Sequence, residues 1–247
     1  MRKWSLSVII VVVGVFLVGP AAFAQTSSVA ADKQSHWGVT GTFVPTWKVP
    51  KEFKIIFDAD KANIEGSEFE VGFVRGRDLG GDWGLSFVKK NFKVGSVVER
   101  GFTELQCFGQ DGCIQSGTRY TTRDVSLMGL EIHKFVVFGT ISRRVQIGMN
   151  FAGGVASVKG QAEKYEAYPQ WFISGPRGYT ISQGSQRSDA EGRELFVSDL
   201  KTVPLLKVQL GVTGILMPGL KVKVLGGLNF PGYSIIGVSA VYLFGAR

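Results

Sequence analysis

Few residues of this chain have the type and spacing to do chemistry. His36 and His133 are the only histidines, and neither has metal-ligand spacing to a second donor, so no metal site or cofactor is expected. No H-E-x-x-H, G-x-S-x-G or phosphate-cradling glycine loop occurs. His133 follows Glu131 by two residues, the one pair with the makings of a general acid and base. A hydrogen-bonded interior histidine is the commoner use of such a residue. Ser86-Phe87-Val88-Lys89 and Ser198-Asp199-Leu200-Lys201 match S-x-x-K, but in a strand Ser86 and Lys89 point to opposite faces. Cys107 and Cys113, the only cysteines, flank a glycine-containing turn. In an oxidising compartment such a pair is expected to form a disulfide that staples a loop.

The elements that must position these residues are strands. Glycine supplies 33 of 247 residues, about twice ordinary usage, and charged residues only 19%. Residues 1–24 read as a cleaved signal peptide, with Arg2 and Lys3, an apolar run from Leu6 to Val18, and Ala22-Phe23-Ala24 before the cut. Export makes nucleic acid an unsuitable partner despite the formal net charge of +8, and no basic stripe with interleaved aromatics is present. After the signal no run of about 18 apolar residues occurs. A membrane could be crossed only by a closed β-barrel.

Alternation supplies that barrel. Leu206, Val208, Leu210 and Val212 share one parity against Lys207, Gln209, Gly211 and Thr213. Leu220, Val222, Val224 and Leu228 oppose Lys221, Lys223, Gly227 and Asn229, and Val145, Ile147, Met149 and Phe151 oppose Arg144, Gln146, Gly148 and Asn150. Weaker alternation begins near Trp37, Phe69, Trp83, Met128 and Ile236, giving eight strands between about 36 and 244. Short turns are expected at 78–82, at Gly139-Thr140 and at Met217-Pro218-Gly219, alternating with long links at 45–66, 95–117 and 160–199. Only the last link, at 229–232, is short where a long one is due. Loops sorted by parity are a feature of transmembrane barrels. The expected fold is therefore all-β: an eight-stranded, up-and-down antiparallel transmembrane β-barrel formed by residues 25–247. Ten strands result if 53–57 and 96–103 also join the wall.

The chain resembles the small bacterial outer-membrane barrels of the OmpA, OmpX and OmpW type. Tyr242 and Phe244 match the aromatics of the C-terminal assembly signal of such barrels, although Gly245-Ala246-Arg247 follow and Ser239 stands where glycine is usual. The resemblance implies location in the outer membrane, with its lipid and the barrel-assembly machinery as partners. The long loops then face outward, where an extracellular ligand could bind. Nothing in the sequence sets an oligomeric state. Lipid A deacylases among such barrels place Ser two residues after His, whereas Gly38 follows His36 and Phe135 follows His133. A non-enzymatic role is expected, structural or in passing small solutes. A lipid-modifying enzyme and a soluble periplasmic ligand-binding barrel are the alternatives.

In such a barrel the apolar parity meets lipid, and lysine or arginine is expected to be absent from the strand centres there, costing ~2–4 kcal/mol at the midplane. The other parity gathers Glu68, Glu70, Lys90, Glu131, His133, Arg144, Lys207, Lys221 and Lys223 in the interior. Eight strands leave room only for side chains, so these charges are expected to pair. Ile235, Val241 and Leu243 are expected to add an apolar inner lining. The aromatics Tyr165, Tyr168, Trp171, Phe172 and Tyr179 of the third long loop are expected to pack that loop against its strands.

Overall fold

The computed structural model describes residues 34–49, 57, 61–101, 106–107, 113–114, 116–173, 179–196 and 199–246. Residues 1–24, expected to be a signal peptide, and residues 53–56 lie outside them. Eight strands form a closed barrel: β1 (His36–Lys48), β2 (Glu65–Gly76), β3 (Asp82–Phe92), β4 (Ser126–Ser142), β5 (Val145–Lys159), β6 (Thr202–Met217), β7 (Leu220–Phe230) and β8 (Gly232–Leu243). Each pairs antiparallel with its neighbours in sequence, and β8 closes on β1. The eight strands expected from alternation are the eight observed.

Two details differ from the sequence reading. The β4–β5 turn is Arg143-Arg144, not Gly139-Thr140, because β4 runs on to Ser142 while register shifts near Val145 and Ile147 take up the extra residues. Ile235 faces outward beside Ile236, at 63% and 52% exposure, because a shift between Leu225 and Gly227 reverses the parity of β8 there. Ile235 therefore does not line the interior.

Outward side chains follow the register in rows. Val39, Phe73, Leu85 and Ile132 lie side by side across β1 to β4, and Gly41, Val71, Phe87 and Leu130 form the next row. The large side chains of both rows are exposed. Apolar surface on this scale is not left to water by an ordinary soluble domain. Against expectation, cations stand among it: Arg75 of β2 and Lys89 of β3 share the outward parity, and Lys134, midway along β4, is exposed on the outer face. Its parity is that of Leu130 and Ile132, and Phe135 takes the inward position beside it.

The long links build a cap. Val97–Arg100 does not enter the wall; it pairs with Gly117–Thr122 as a hairpin above it and so belongs to a second sheet. That sheet has the order Tyr179–Glu191, Gln161–Ile173, Gly117–Thr122, Val97–Arg100, Lys61–Asn63. Its inner face carries Ala62, Val98, Tyr120, Ala162 and Ala190, which join Trp47, Val88, Phe92 and Leu205 of the barrel in one apolar core. Phe196 packs on Phe57 at 5.0 Å and on Phe92 at 6.2 Å between ring centroids, linking cap to wall. A 3-10 turn at Gly192–Leu195 presents Leu195 and Phe196 to this core, tied by the Glu191 N–H donating to Glu194 Oε1 at 2.9 Å. The third loop is a continuous hairpin, Gln161 paired with Glu191 through Ile173 with Tyr179. Tyr165 packs under Arg187 and Tyr168 is exposed, while the side chains of Trp171, Phe172 and Tyr179 lie outside the description.

Candidate functional site: the barrel interior

Period-two alternation turns one side chain in two toward the axis, and the inward set is polar at mid-height. Among the described residues the buried carboxylate and ammonium side chains are Glu68, Glu70, Asp82 and Glu131 with Lys90, Lys207, Lys221 and Lys223, four of each kind. Lys207 is the hub. Its ammonium lies 2.6 Å from Glu68, 2.9 Å from Glu131, and in contact with Glu70. Lys90 pairs with Glu68 at 3.0 Å and donates to Asn229 Oδ1 and, at 3.1 Å, to the Phe230 carbonyl. Asn229 in turn donates to Glu68 Oε2 at 2.7 Å. Strands β2, β3, β4, β6 and β7 are thus tied across the lumen by one network, as opposed charges must be when water is excluded.

Nearer the turn end, Lys223 pairs with Asp82 at 2.6 Å and lies 4.5 Å from the centre of the Phe135 ring. Lys221 reaches Asp82 at 3.4 Å and donates to the Arg77 carbonyl at 2.6 Å. Phe135 fits because the positions facing it are glycines. A Cβ on Gly148 would come within 2.6 Å of its ring, and one on Gly211 within 2.9 Å. At the end itself the β2–β3 turn reaches across, its Asp78 accepting the Gly219 N–H from the opposite wall at 2.9 Å. Val74, Val241 and Leu243 pack beside it. At the loop end the apolar core over Trp47 and Phe92 forms the ceiling.

Eight of the nine interior residues read from the sequence are buried within the barrel. The ninth, Arg144, is a correction: it is exposed in the β4–β5 turn, outside the network, since the strand alternation starts one residue later than read. Asp82 and Asn229 were missed. Both have inward parity, one step from Trp83 and Leu228, but Asp82 looks like a turn residue and Asn229 carries no charge. The acid/base pairing of Glu131 with His133 is replaced by two separate contacts. Glu131 is held by Lys207, and His133 Nδ1 hydrogen-bonds Ser86 Oγ at 3.2 Å, both groups buried.

Cys107 and Cys113 stand directly opposite one another in a two-residue ladder. Tyr242 and Phe244 lie on the outer face with their rings edge to face, 5.6 Å apart. Comparison with known proteins gives neither a matching family model nor a matching curated protein.

Proposed function

We propose that this chain is a non-enzymatic outer-membrane barrel whose lumen is sealed, serving as a membrane anchor that holds its β-sheet cap outside the cell. The observation that carries the reading is the inversion of polarity. Four carboxylates and four lysines lie inside while Phe43, Phe69, Phe73, Leu85, Ile132 and Leu210 lie outside, each about half exposed or more. A water-soluble barrel that binds an apolar ligand would have the opposite arrangement. Lipid resolves it, because every strand in the closed wall has its backbone paired on both sides.

Sealing favours the structural role over solute passage. The ion-paired middle, the Asp78–Gly219 contact at one end and the apolar core at the other all stand across the barrel axis. The apolar inner lining that a small hydrophobic solute would need has lost Ile235, which faces out. The Ser86–His133 pair is enclosed with the rest, which argues against lipid-modifying chemistry there. The loop disulfide belongs to the same reading: opposed Cys107 and Cys113 in an exported cap.

The test is cell fractionation with gel electrophoresis of boiled and unboiled samples, followed by planar-bilayer recording. An outer-membrane band that shifts on heating and gives no steady conductance supports the proposal. A soluble periplasmic band, or stepwise channel openings, contradicts it.

A further inference from the structure

The outward cation Lys134 has neighbours that give it a purpose. Its register row runs Trp37, Arg75, Trp83, Lys134 across β1 to β4. All four side chains are exposed on the outer wall. The guanidinium of Arg75 lies 5.6 Å from the Trp37 ring, and the two indoles meet edge to face at 6.1 Å. Arg75 also donates to Ser35 Oγ at 3.0 Å. No carboxylate of the described residues pairs with Arg75 or Lys134, and the nearby Asp82 is turned inward onto Lys223.

The height of this row follows from the register. Continued around the barrel it passes Phe151, Val208, Leu228 and Tyr233 and returns to β1 at Lys48. It therefore climbs from the turn end to the loop end in eight steps, about 3 Å each for strands ~4.8 Å apart and tilted ~40°. Arg75 stands one step above Trp37, at the turn-end interface, and Lys134 three steps, about 9 Å into the apolar band. An exposed ammonium at that depth needs an anion or a route back to the headgroups. Two strand spacings, roughly 10 Å, separate the Arg75 and Lys134 backbones. Both long side chains can therefore converge on one group lying over Trp83. Directly above, Phe73, Leu85 and Ile132 form the adjoining apolar row.

We propose that the Trp37–Arg75–Trp83–Lys134 ledge binds the phosphate of an anionic phospholipid in the periplasmic leaflet. The two cations hold the headgroup, the indoles bracket the glycerol region, and the acyl chains run along the Phe73–Leu85–Ile132 row. The site rests on the membrane reading above and adds a lipid class to it.

The experiment reconstitutes the mature chain into vesicles of phosphatidylcholine with a minor share of phosphatidylglycerol, then counts retained lipids by native mass spectrometry. Phosphatidylglycerol enriched about tenfold over its bulk share is expected. The Arg75→Gln/Lys134→Gln double variant should insert and shift on heating like the parent, yet retain lipid at the bulk ratio. Unchanged enrichment in that variant, or none in the inserted parent, overturns the proposal. Addition of inorganic phosphate should leave the enrichment intact. Loss of enrichment would mean a free-anion site and overturns the lipid assignment. Failure of the parent to enter pure phosphatidylcholine vesicles would overturn the membrane reading, and this site with it.

Discussion

Replacing Lys207 with Met keeps the length and apolar stem of the side chain but removes the charge at the centre of the lumen. In the parent that charge touches Glu68, Glu70 and Glu131, all buried. Glu68 retains Lys90 at 3.0 Å in the variant, so the stranded groups are chiefly Glu70 and Glu131. Removing one partner of a buried ion pair costs about 3–5 kcal/mol. At ~2–4 °C per kcal/mol for a chain of this size, the midpoint of the heat-induced gel shift should fall by roughly 6–20 °C. The loss should shrink in acid, because protonation neutralises the carboxylates left behind. Glu131→Gln should cost less, since Lys207 keeps two acidic partners. Midpoints for Lys207→Met within about a degree of the parent, at neutral and acidic pH alike, would mean that water fills this space and that the network does not hold the barrel.

Other predictions concern packing and the cap. Gly148→Val places a side chain against the Phe135 ring and the Val136 carbonyl, and should lower stability by about 1–3 kcal/mol in denaturant refolding. Phe196→Ala removes a ring that bridges Phe57 and Phe92. Cleavage by an external protease should rise in the cap, while the heat shift of the barrel persists. Cys107 and Cys113 should resist thiol alkylation until reductant is added, as mass spectrometry of the purified chain would read. Asp78→Ala removes the acceptor for Gly219 and should speed proteolysis of the β2–β3 turn from the periplasmic side, with about 1–3 kcal/mol lost at most.

The wall was legible because period-two alternation is a local signal. Lys207, Lys221 and Lys223 each stand between apolar neighbours, so their inward direction follows from counting alone. Counting failed where a strand carries an irregularity. The shifts in β4–β5 moved the turn from Gly139 to Arg143 and put Arg144 outside, and the shift opposite Leu225 turned Ile235 outward. Lys134 shares the parity of Leu130 and Ile132, so its outward position was readable. The cost of a lipid-facing cation argues against that position in the sequence. The cap was legible only in part, as an extended segment at 96–103. Lys61–Asn63 and Val97–Arg100 are too short to show a period, and pair through contacts distant in sequence. The pairing partners inside the lumen are likewise set by barrel closure. The opposed signs were visible, but which lysine meets which carboxylate depends on register.

The claim that the apolar parity faces hydrocarbon is tested most directly by tryptophan quenching in vesicles of brominated phosphatidylcholine. Trp37 and Trp83 stand on the outer wall, 56% and 50% exposed, while Trp47 is fully buried in the core beneath the cap. Strong quenching of the parent is expected. It should drop sharply in Trp37→Phe/Trp83→Phe and remain in Trp47→Phe. Equal quenching in brominated and unbrominated vesicles, with the folded protein left in the aqueous phase, would contradict the account.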